Sequence, residues 1–529
     1  MVIHLAINTT MKKILIPILL LTVISAEAQD TLSSLSGKLE ILPYRQLWIG
    51  SSNAAGIAQG YIPEIGQAKV ASTLKEGAFR RPQQAGSDRD VSFYSEKYQS
   101  LNKLKLYGSF DFRQSWQNNL EWNALLNPYR RMPYILADSV GGEWKRQEYN
   151  LKLKAASAAL ADGKLSVGAG LNYYVGTGAR QNDPRPQSYV YDLTFTPSAI
   201  LKLSDKFNLG YNFIYEAFRE NVSYESSNST DVQKAYWFTN TGYFLDWQMS
   251  ALGSYSRYYI GKTIGSGLQL SYENEGVEGL VGVRYDRRKE TSEDGTSPAR
   301  PTGRLDENNY SVTGLLRFNK ASHTQQIRAE WNSHDGEGID YHTASGNAET
   351  GWIVTNKDVL TTSYYNNASI TYSFIRNAAN DDFKWMAEAG IAFDGRDIRY
   401  LKPQMRQNVD AIEFSVRYVY NLTIPGRKSW KADANFAWRD CFTSYSDFTP
   451  QNGVSGIGYN TLHLPDHSWL SADMVKPGLS IQYSQPAKVG SAAELFVRGT
   501  AAADIRIGNS LGGPSGNRRY FGISVGAIF

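Results

Sequence analysis

The last ten residues of the chain, YFGISVGAIF from Tyr520 to Phe529, alternate between apolar side chains and side chains that are mostly small or polar. The apolar set occupies every second position: Phe521, Ile523, Val525, Ala527 and Phe529. Alternation with a period of two places each set on its own face of a β-strand. Because the two faces differ in polarity, we expect this strand to lie between two different solvents and to end the chain.

The same alternation recurs upstream in segments of ten or more residues, at 383–394, 412–421, 430–439 and 494–505. Strands in globular proteins average only about five or six residues. Aromatic side chains gather at the ends of the apolar faces, and the chain holds 34 Tyr, 21 Phe and 12 Trp. This arrangement is typical of membrane-spanning strands, whose aromatic girdles lie at the two interfaces. The sequence therefore predicts an all-β fold, a transmembrane antiparallel β-barrel.

Short and long connections alternate along the predicted barrel, with seven short turns and eight long polar loops joining about 16 strands. Fourteen or 18 strands also fit, because the aromatic stretch between Asp231 and Lys262 has room for another hairpin. In bacterial outer-membrane barrels the short turns face the periplasm and the long loops face outside. An even number of strands places both ends of the barrel on the periplasmic side.

The N-terminus has the features of a cleaved export signal. Met11 precedes two lysines, residues 14–24 are apolar, and Ala26-Glu27-Ala28 has the small-x-small pattern of a cleavage site. We expect residues 1–28 to be a signal peptide, with Met11 as the true start. Export combined with the strand pattern predicts location in the outer membrane of a Gram-negative bacterium.

Residues 29–98 precede the first predicted strand, and residues 99–529 form the predicted barrel. A stretch of about seventy residues with few apolar anchors is too small to fold on its own hydrophobic core. Two interpretations remain open for it, a plug folded into the lumen and a periplasmic extension.

Charged residues of both signs fall on the strand faces that should line the lumen. The main ones are Arg284, Glu388, Arg417, Asp433, Arg439 and Arg498. A pore selective for anions or cations would show rings of one sign. Mixed charges instead favour pairing across the lumen or contact with a plug, while a solvated wall of scattered charges is the alternative. We expect a narrow or plugged interior.

Few residues suit catalysis or metal binding. No predicted strand pairs His with Ser or Asp at the spacing of a barrel hydrolase, so we expect no enzyme and no cofactor. The single cysteine, Cys441, excludes an internal disulfide, and a net charge of +4 gives no reason to expect nucleic acid as a partner. Imidazole groups suit zinc, copper and iron. A candidate metal cluster in the external loops comprises His334, His342, His463 and His467.

Short motifs carry resemblances to known families. The run Asn53-Ala54-Ala55-Gly56-Ile57, with Trp48 upstream and Leu106-Tyr107-Gly108-Ser109-Phe110 downstream, resembles a Bacteroidota family of uncharacterised outer-membrane barrels. That resemblance implies genes beside TonB-dependent transporters and a TonB-dependent transporter complex as partner. The Asn-Ala-Ala-Gly run also weakly resembles the Asn-Pro-Ala-Gly hatch motif of long-chain fatty-acid transporter barrels, with Ala54 in place of the proline.

The C-terminal strand carries a further resemblance. Phe529, together with Phe521, resembles the signal that the barrel assembly machinery reads on its substrates. The expected partners are therefore outer-membrane lipid, the barrel assembly machinery and the transporter complex. The expected function is transport-related, as an accessory subunit of a nutrient- or metal-uptake complex or as a plugged channel. The alternative is a non-conducting structural or surface-interaction barrel whose long external loops bind a partner.

Overall fold

The computed structural model describes most of the chain. The described residues are 34–157, 159–226, 234–240, 244–250, 254–295, 298–347, 351–378, 381–426, 428–448, 454–487, 493–508, 514 and 516–529. The predicted signal peptide, residues 1–28, lies outside them, as does its predicted start at Met11.

The described part is built mainly from strands, with a few short helices. The strands are β1 Gly66–Glu76, β2 Ser87–Leu101, β3 Leu104–Asn118, β4 Tyr134–Asp138, β5 Trp144–Ser157, β6 Leu165–Arg180, β7 Arg185–Lys202, β8 Phe207–Glu225, β9 Lys234–Thr239, β10 Phe244–Ser250, β11 Ser254–Asn274, β12 Val277–Asp294, β13 Arg300–Asn319, β14 His323–Ser345, β15 Trp352–Asn377, β16 Phe383–Leu401, β17 Gln404–Ile424, β18 Lys428–Asp447, β19 Asp473–Pro486, β20 Glu494–Ile507 and β21 Asn517–Ile528. The helices are α1 Leu35–Arg45, a 3-10 helix Ala54–Ala58, α2 Val454–Gly458, a π-helix Tyr459–His463 and α3 Leu464–Leu470.

Eighteen of the described strands form one closed antiparallel barrel. Neighbours along the chain pair with one another, and β21 pairs with β1 to close the ring, with Val525 opposite Val70. Closure leaves no strand edge with unpaired backbone groups, as a bilayer requires. The prediction of an all-β transmembrane-type barrel is confirmed in its architecture, but the favoured number of 16 strands is wrong and the alternative of 18 is right.

The two strands that the prediction missed are β1 and β2, so the barrel begins at Gly66 rather than at residue 99. β1 pairs with β2 and β21 along its whole length or nearly so. Along its outward face Ala68, Val70, Ser72 and Leu74 follow one another, and the small Ala68 and polar Ser72 make the apolar alternation weak. Such a strand is recognised through its neighbours, which supply the pairing, more than through its own pattern.

The extra hairpin suspected between Asp231 and Lys262 exists, but it lies outside the barrel ring. β9 and β10 pair with each other, and β9 also pairs with β4, giving a separate three-stranded sheet. This sheet contributes to an apolar cluster that includes Leu136, Phe238 and Tyr259 and that also contains Leu462 from the π-helix. We use the name cap for residues 119–143, 234–240 and 454–470.

The outer surface of the barrel is apolar in a band around the ring. Large exposed side chains on it include Val281, Ile370, Val416, Phe521 and Ile523. Exposing so many apolar side chains to water would be unfavourable, at about 25 cal/mol for each Å², so this surface suits a bilayer. No helix among the described residues is long and apolar enough to cross a membrane.

The two ends of the barrel differ. The turns after β2, β7, β11, β13 and β17 are tight and lie at one end, which we call the short-turn end. The cap lies at the opposite end, which we call the long-loop end. Phe529 lies at the short-turn end, where its backbone N–H donates to the carbonyl oxygen of Gly66 over 2.9 Å and its own carbonyl accepts from the Gly66 N–H over 2.7 Å.

Candidate functional site: a chamber in the lumen

Residues 34–65, which we call the N-terminal segment, lie inside the barrel at the short-turn end. The backbone N–H of Ser34 donates to Asp382 Oδ2 over 2.8 Å. The N–H groups of Leu35 and Ser36, at the start of α1, donate to the carboxylate of Glu494 over 2.6 and 3.1 Å. A carboxylate is favourable there because the first turn of a helix has unpaired donors and a partial positive charge.

A network of charged side chains joins α1 to the barrel wall. Glu40 accepts from Lys431 Nζ over 2.9 Å and from Arg417 Nη2 over 3.0 Å. Arg417 also contacts Asp433 over 2.9 Å and Glu388 over 3.2 Å. Burial would raise the pKa of Glu40, but the cations of Lys431 and Arg417 outweigh it and lower the pKa to about 2. Glu40 is therefore ionised at any physiological pH, and the network holds the segment electrostatically.

A second attachment is the side chain of Asn53, which is fully buried. Its Nδ2 donates to Gln269 Oε1 over 2.9 Å and to the carbonyl oxygens of Ala199 and Tyr211, each over 3.2 Å. Its Oδ1 accepts from the Ala55 N–H over 3.0 Å. The Asn-Ala-Ala-Gly run thus packs the N-terminal segment against β7, β8 and β11, and we call this run the wedge.

Close approach of this wedge requires glycine on the wall. A Cβ added to Gly168 would lie 2.7 Å from the backbone nitrogen of Ala55, and one added to Gly210 would lie 2.9 Å from Asn53 Nδ2. A larger residue at Gly168 would meet backbone rather than a side chain that can move. The local sequence of the wall is therefore matched to the wedge.

Two adjoining cavities of about 500 and 280 Å³ lie between the N-terminal segment and the cap. They share Glu330 and Asn332 on β14 as lining residues, so we treat them as one chamber. The N-terminal segment lines one side through Leu47 and 50–52. The cap lines the other through Trp469 and Leu470. The combined volume is that of a small-molecule site.

Basic side chains outnumber acidic ones on the chamber wall. The basic residues are Arg81, Arg284, Arg328, Arg396, Arg439 and Lys476, and the acidic ones are Glu330, Asp394 and Glu413. Several are paired, including Lys476 with Glu413 over 2.6 Å. Arg439 instead donates to the carbonyl oxygens of Leu470 and Ala472 over 2.6 and 2.7 Å. Asp466 and Asp286, just outside the lining, pair with Arg81 and Arg284, so the chamber is polar with a small positive balance.

The cap is tied to the wall by buried ion pairs. Arg81 makes a bidentate contact with Asp466 on α3 at 2.6 and 2.8 Å. Arg131 makes another with Glu307 on β13, at 2.7 and 3.0 Å. Arg180 contacts Asp138 on β4 over 2.7 Å, and both side chains are fully buried. Planar bidentate pairing of this kind fixes geometry as well as charge.

The charged residues predicted to face the lumen differ in what they contact. Glu388, Arg417 and Asp433 hold α1, whereas Arg439 holds the cap. Arg284 contacts Asp286 over 2.7 Å beside the chamber. The last one predicted, Arg498, donates to Gln482 Oε1 over 2.9 Å.

The structure does not bring together the four histidines of the predicted metal cluster. His334 and His342 lie on β14, where they contact Asn309 and Asp358. His463 and His467 stack on each other in the cap, with ring centroids 6.1 Å apart. Among the described residues no group of three or more His, Cys, Asp or Glu side chains is arranged to hold a metal ion. The predicted loop around His334 is a strand that continues to Ser345, which separates the two pairs.

Several residues that build the site carried no signal in the sequence. Glu40 lies in a helix that alternation could not predict, and Arg81 and Arg131 lie in irregular segments. The adjacent pair Arg130–Arg131, flanked by Tyr129 and Met132, is the one hint, because buried arginines need carboxylate partners. Arg130 contacts Glu290, and Glu220 at 3.3 Å.

Comparison with curated proteins found no match. Among solved structures, the ferric preacinetobactin receptor BauA of Acinetobacter baumannii is 9% identical over 89% of this chain and 81% of that chain, with a TM-score of 0.41. The RagAB peptide transporter is 7% identical over 89% and 87%, with a TM-score of 0.42. A FadL homologue of Pseudomonas aeruginosa is 9% identical over 90% and 92%, with a TM-score of 0.31. A family model matches residues 54–529, and the chain belongs to that family, DUF6850, described as a family of unknown function.

Proposed function

We propose that the protein is an outer-membrane channel whose lumen is plugged by the N-terminal segment and that admits a small, hydrophilic, preferably anionic solute. The observation that carries the proposal is the chamber between the segment and the cap, with its polar wall and positive balance. The closed barrel and its apolar outer band support the membrane location. A closed barrel with a polar interior is the arrangement that outer-membrane channels use.

The contacts of the N-terminal segment suit a plug that can leave. Glu40 exchanges two protein cations for water when the segment moves. Arg417 then remains paired with Glu388 and Asp433, whereas Lys431 loses its carboxylate partner. Partly exposed ion pairs are weak compared with a hydrophobic core. No catalytic step and no cofactor are part of the proposal. Phe529 and Phe521 are proposed as the assembly signal.

The test is conductance in a planar bilayer. The full chain should conduct little, and Glu40→Lys should increase the open fraction because it places a third cation beside Lys431 and Arg417. The control is Glu64→Lys, which makes the same change of charge in the same segment, at a site where the carboxylate contacts only the backbone N–H of Ser100, over 3.2 Å. A chain lacking residues 34–62 is the second variant. Silence of both Glu40→Lys and the chain lacking residues 34–62, each shown to be a folded barrel, would overturn the channel.

The length of the strands on one side favours a second candidate, an accessory or surface-interaction barrel. β14 and β15 have 23 and 26 residues, whereas β1 and β21 have 11 and 12. A tilted strand needs about 9–11 residues to cross a bilayer, so this hairpin projects far beyond it. The projecting wall would contact a partner, such as the TonB-dependent transporter complex that the Bacteroidota family resemblance implies.

Gentle-detergent purification from native membranes tests this candidate. Co-purification of a transporter, lost when residues 339–359 are replaced by a short turn, is the expected result. Replacement of residues 293–301 of the neighbouring β12–β13 hairpin by a short turn is the control. A monomer in both native and shortened forms would contradict the accessory role.

A further inference from the structure

Exposed basic side chains cluster on the outside of the barrel, near the long-loop end. They lie on the adjacent strands β8, β11 and β12: Arg219, Lys262, Arg287 and Lys289. Each shares its strand face with exposed apolar residues such as Phe213, Ile264 and Val283, so all four point away from the lumen. We call these four residues the outer basic surface.

The position of the outer basic surface along the barrel is clearest on β12. On β12 the outward residues run from Val281 and Val283 through Tyr285 to Arg287 and Lys289, towards the long-loop end. The ring of Tyr285 packs against that of Tyr310 on β13, with ring centroids 5.3 Å apart, as part of an aromatic rim. Aromatic rims mark the boundary between the apolar core of a membrane and its headgroups. The outer basic surface therefore lies at headgroup level, on the side that faces outside when short turns face the periplasm.

Two of the cations are placed against each other. Lys262 on β11 and Lys289 on β12 are direct cross-strand partners. Like charges directly opposite on one face destabilise a sheet, with Cβ atoms only about 5 Å apart. Arg219 is diagonal to Lys262, because Arg219 pairs with Ile260. Among the described residues no carboxylate lies within salt-bridge distance of Arg219, Lys262 or Lys289.

Acidic residues border this surface on two sides: Asp306 on β13 is the cross-strand partner of Lys289, and Glu293 lies on the outward face of β12, opposite Tyr258. Asp306 on β13 contacts Arg287 over 3.2 Å and Arg304 over 2.7 Å. Asp335 and Glu337 are exposed on the outward face of β14. The free cations therefore face the β8 side, where neighbouring outward residues on β7 are Tyr189 and Tyr191. An anionic group that approached from there would meet Arg219 and Lys262 first and then Lys289, while Asp306 beyond it is paired with Arg287 and Arg304.

We propose that the outer basic surface binds the phosphate groups of an anionic lipid in the outer leaflet. Lys262 and Lys289 share one phosphate, which removes the repulsion between them, and Arg219 contacts it or a second phosphate. Tyr215 and Tyr258 support the site, since Lys262 Nζ lies 5.2 Å from the Tyr215 ring and Arg219 Cζ lies 5.4 Å from the Tyr258 ring. Arginine and lysine near a lipid surface each add about fivefold to the binding of anionic lipid. The inference is independent of whether the lumen conducts.

Native mass spectrometry of the full chain in detergent, titrated with diphosphorylated lipid A, tests the proposal. The double variant Lys262→Gln with Lys289→Gln should bind the lipid about tenfold or more weakly. The matched control is Arg89→Gln with Lys145→Gln, two exposed outward cations near the same rim that are separated by Trp116 rather than opposed. Dephosphorylated lipid A should bind the native chain and both variants equally.

Two results would overturn the proposal. An equal loss in the control pair would mean general attraction to a charged rim, with no specific site. Displacement of lipid A by inorganic phosphate at equal concentration would mean that the surface recognises free phosphate and not the lipid. Both double variants should show the heat-modifiable gel mobility of a folded barrel. A difference in lipid binding would then not be due to misfolding.

Discussion

The N-terminal segment and the cap both bound the chamber, but different forces hold them. The segment makes scattered polar contacts, and its apolar residues divide among separate small clusters, with Ile41 in one, Trp48 in another and Ile57 in a third. Most apolar residues of the cap share one continuous cluster with β8, β11 and β13, while Leu120 and Trp469 belong to two smaller clusters. The cap is also fixed by bidentate arginine pairs whose carboxylates are buried.

This difference shows which boundary of the chamber can move. A continuous cluster loses all its burial together, at about 1.5–3 kcal/mol for each large side chain, so the cap should open only with great difficulty. Small separate clusters can come apart one after another, and the ion pairs of Glu40 exchange readily with water. The segment at the short-turn end is therefore the movable part, and the cap is a fixed lid.

Replacement of Asp138 by Ala should produce the largest effect on this comparison. It leaves the fully buried guanidinium of Arg180 without its carboxylate, which costs about 3–5 kcal/mol. We expect hydrogen exchange at residues 134–138 to accelerate and the thermal midpoint to fall. The control is Asp205→Ala, which removes an exposed partner of Lys202 and should change neither quantity. Equal behaviour of the two variants would mean that the cap is not held by its buried pairs.

Asn53→Ala should have an intermediate effect that is confined to the N-terminal segment. The substitution leaves the buried Oε1 of Gln269 and two wall carbonyls without a donor, a loss of about 2 kcal/mol. Limited proteolysis should then cleave within residues 34–65 while the cap stays protected. Gln59→Ala serves for comparison, because Gln59 makes one part-buried hydrogen bond, to Ser166 over 3.2 Å. If residues 34–65 were cleaved no faster in Asn53→Ala than in the native chain, the role of the wedge in holding the segment would be contradicted.

The cap and the N-terminal segment should lose stability in different pH ranges. Burial lowers the pKa of His463 to about 4, and His467 acts in the same direction, partly offset by Asp466. The opened cap therefore binds more protons than the closed one below the ordinary value near 6.5. Stability of the cap should fall as pH decreases from about 6.5 to about 4.

Glu40 should respond in a lower window. Its pKa of about 2 lies below the ordinary 4.5, so its contribution is complete above 4.5 and is lost as pH falls from 4.5 towards 2. Hydrogen exchange, corrected for its intrinsic pH dependence, should accelerate at 459–470 before it does at 35–45. We expect the cap's response to be the smallest change of the set, because one imidazole titrates while the apolar cluster and the ion pairs of the cap remain. Persistence of the cap's response in His463→Gln would assign it to another group.

The predictions from sequence succeeded where the evidence was local to a strand. Alternation at 383–394 and at Phe521–Phe529 identified real strands, because each residue's face follows from its own position. β1 was missed because Ala68 and Ser72 interrupt its apolar face. The predicted metal ligands do not come together because His334 and His463 were grouped as residues of external loops. The distance between them depends on where the long strands end, which the loops do not reveal.

The amino-acid sequence alone therefore dictated a barrel with an apolar outer face, a polar inner face and a C-terminal strand at Phe529. Those properties follow from the period-two geometry of a strand between two solvents. The tertiary structure decided the number of strands, the chamber and the partners of each inward charge. Such contacts join residues hundreds of positions apart, as Glu40 and Arg417 do, and no pattern within one strand encodes its distant neighbours.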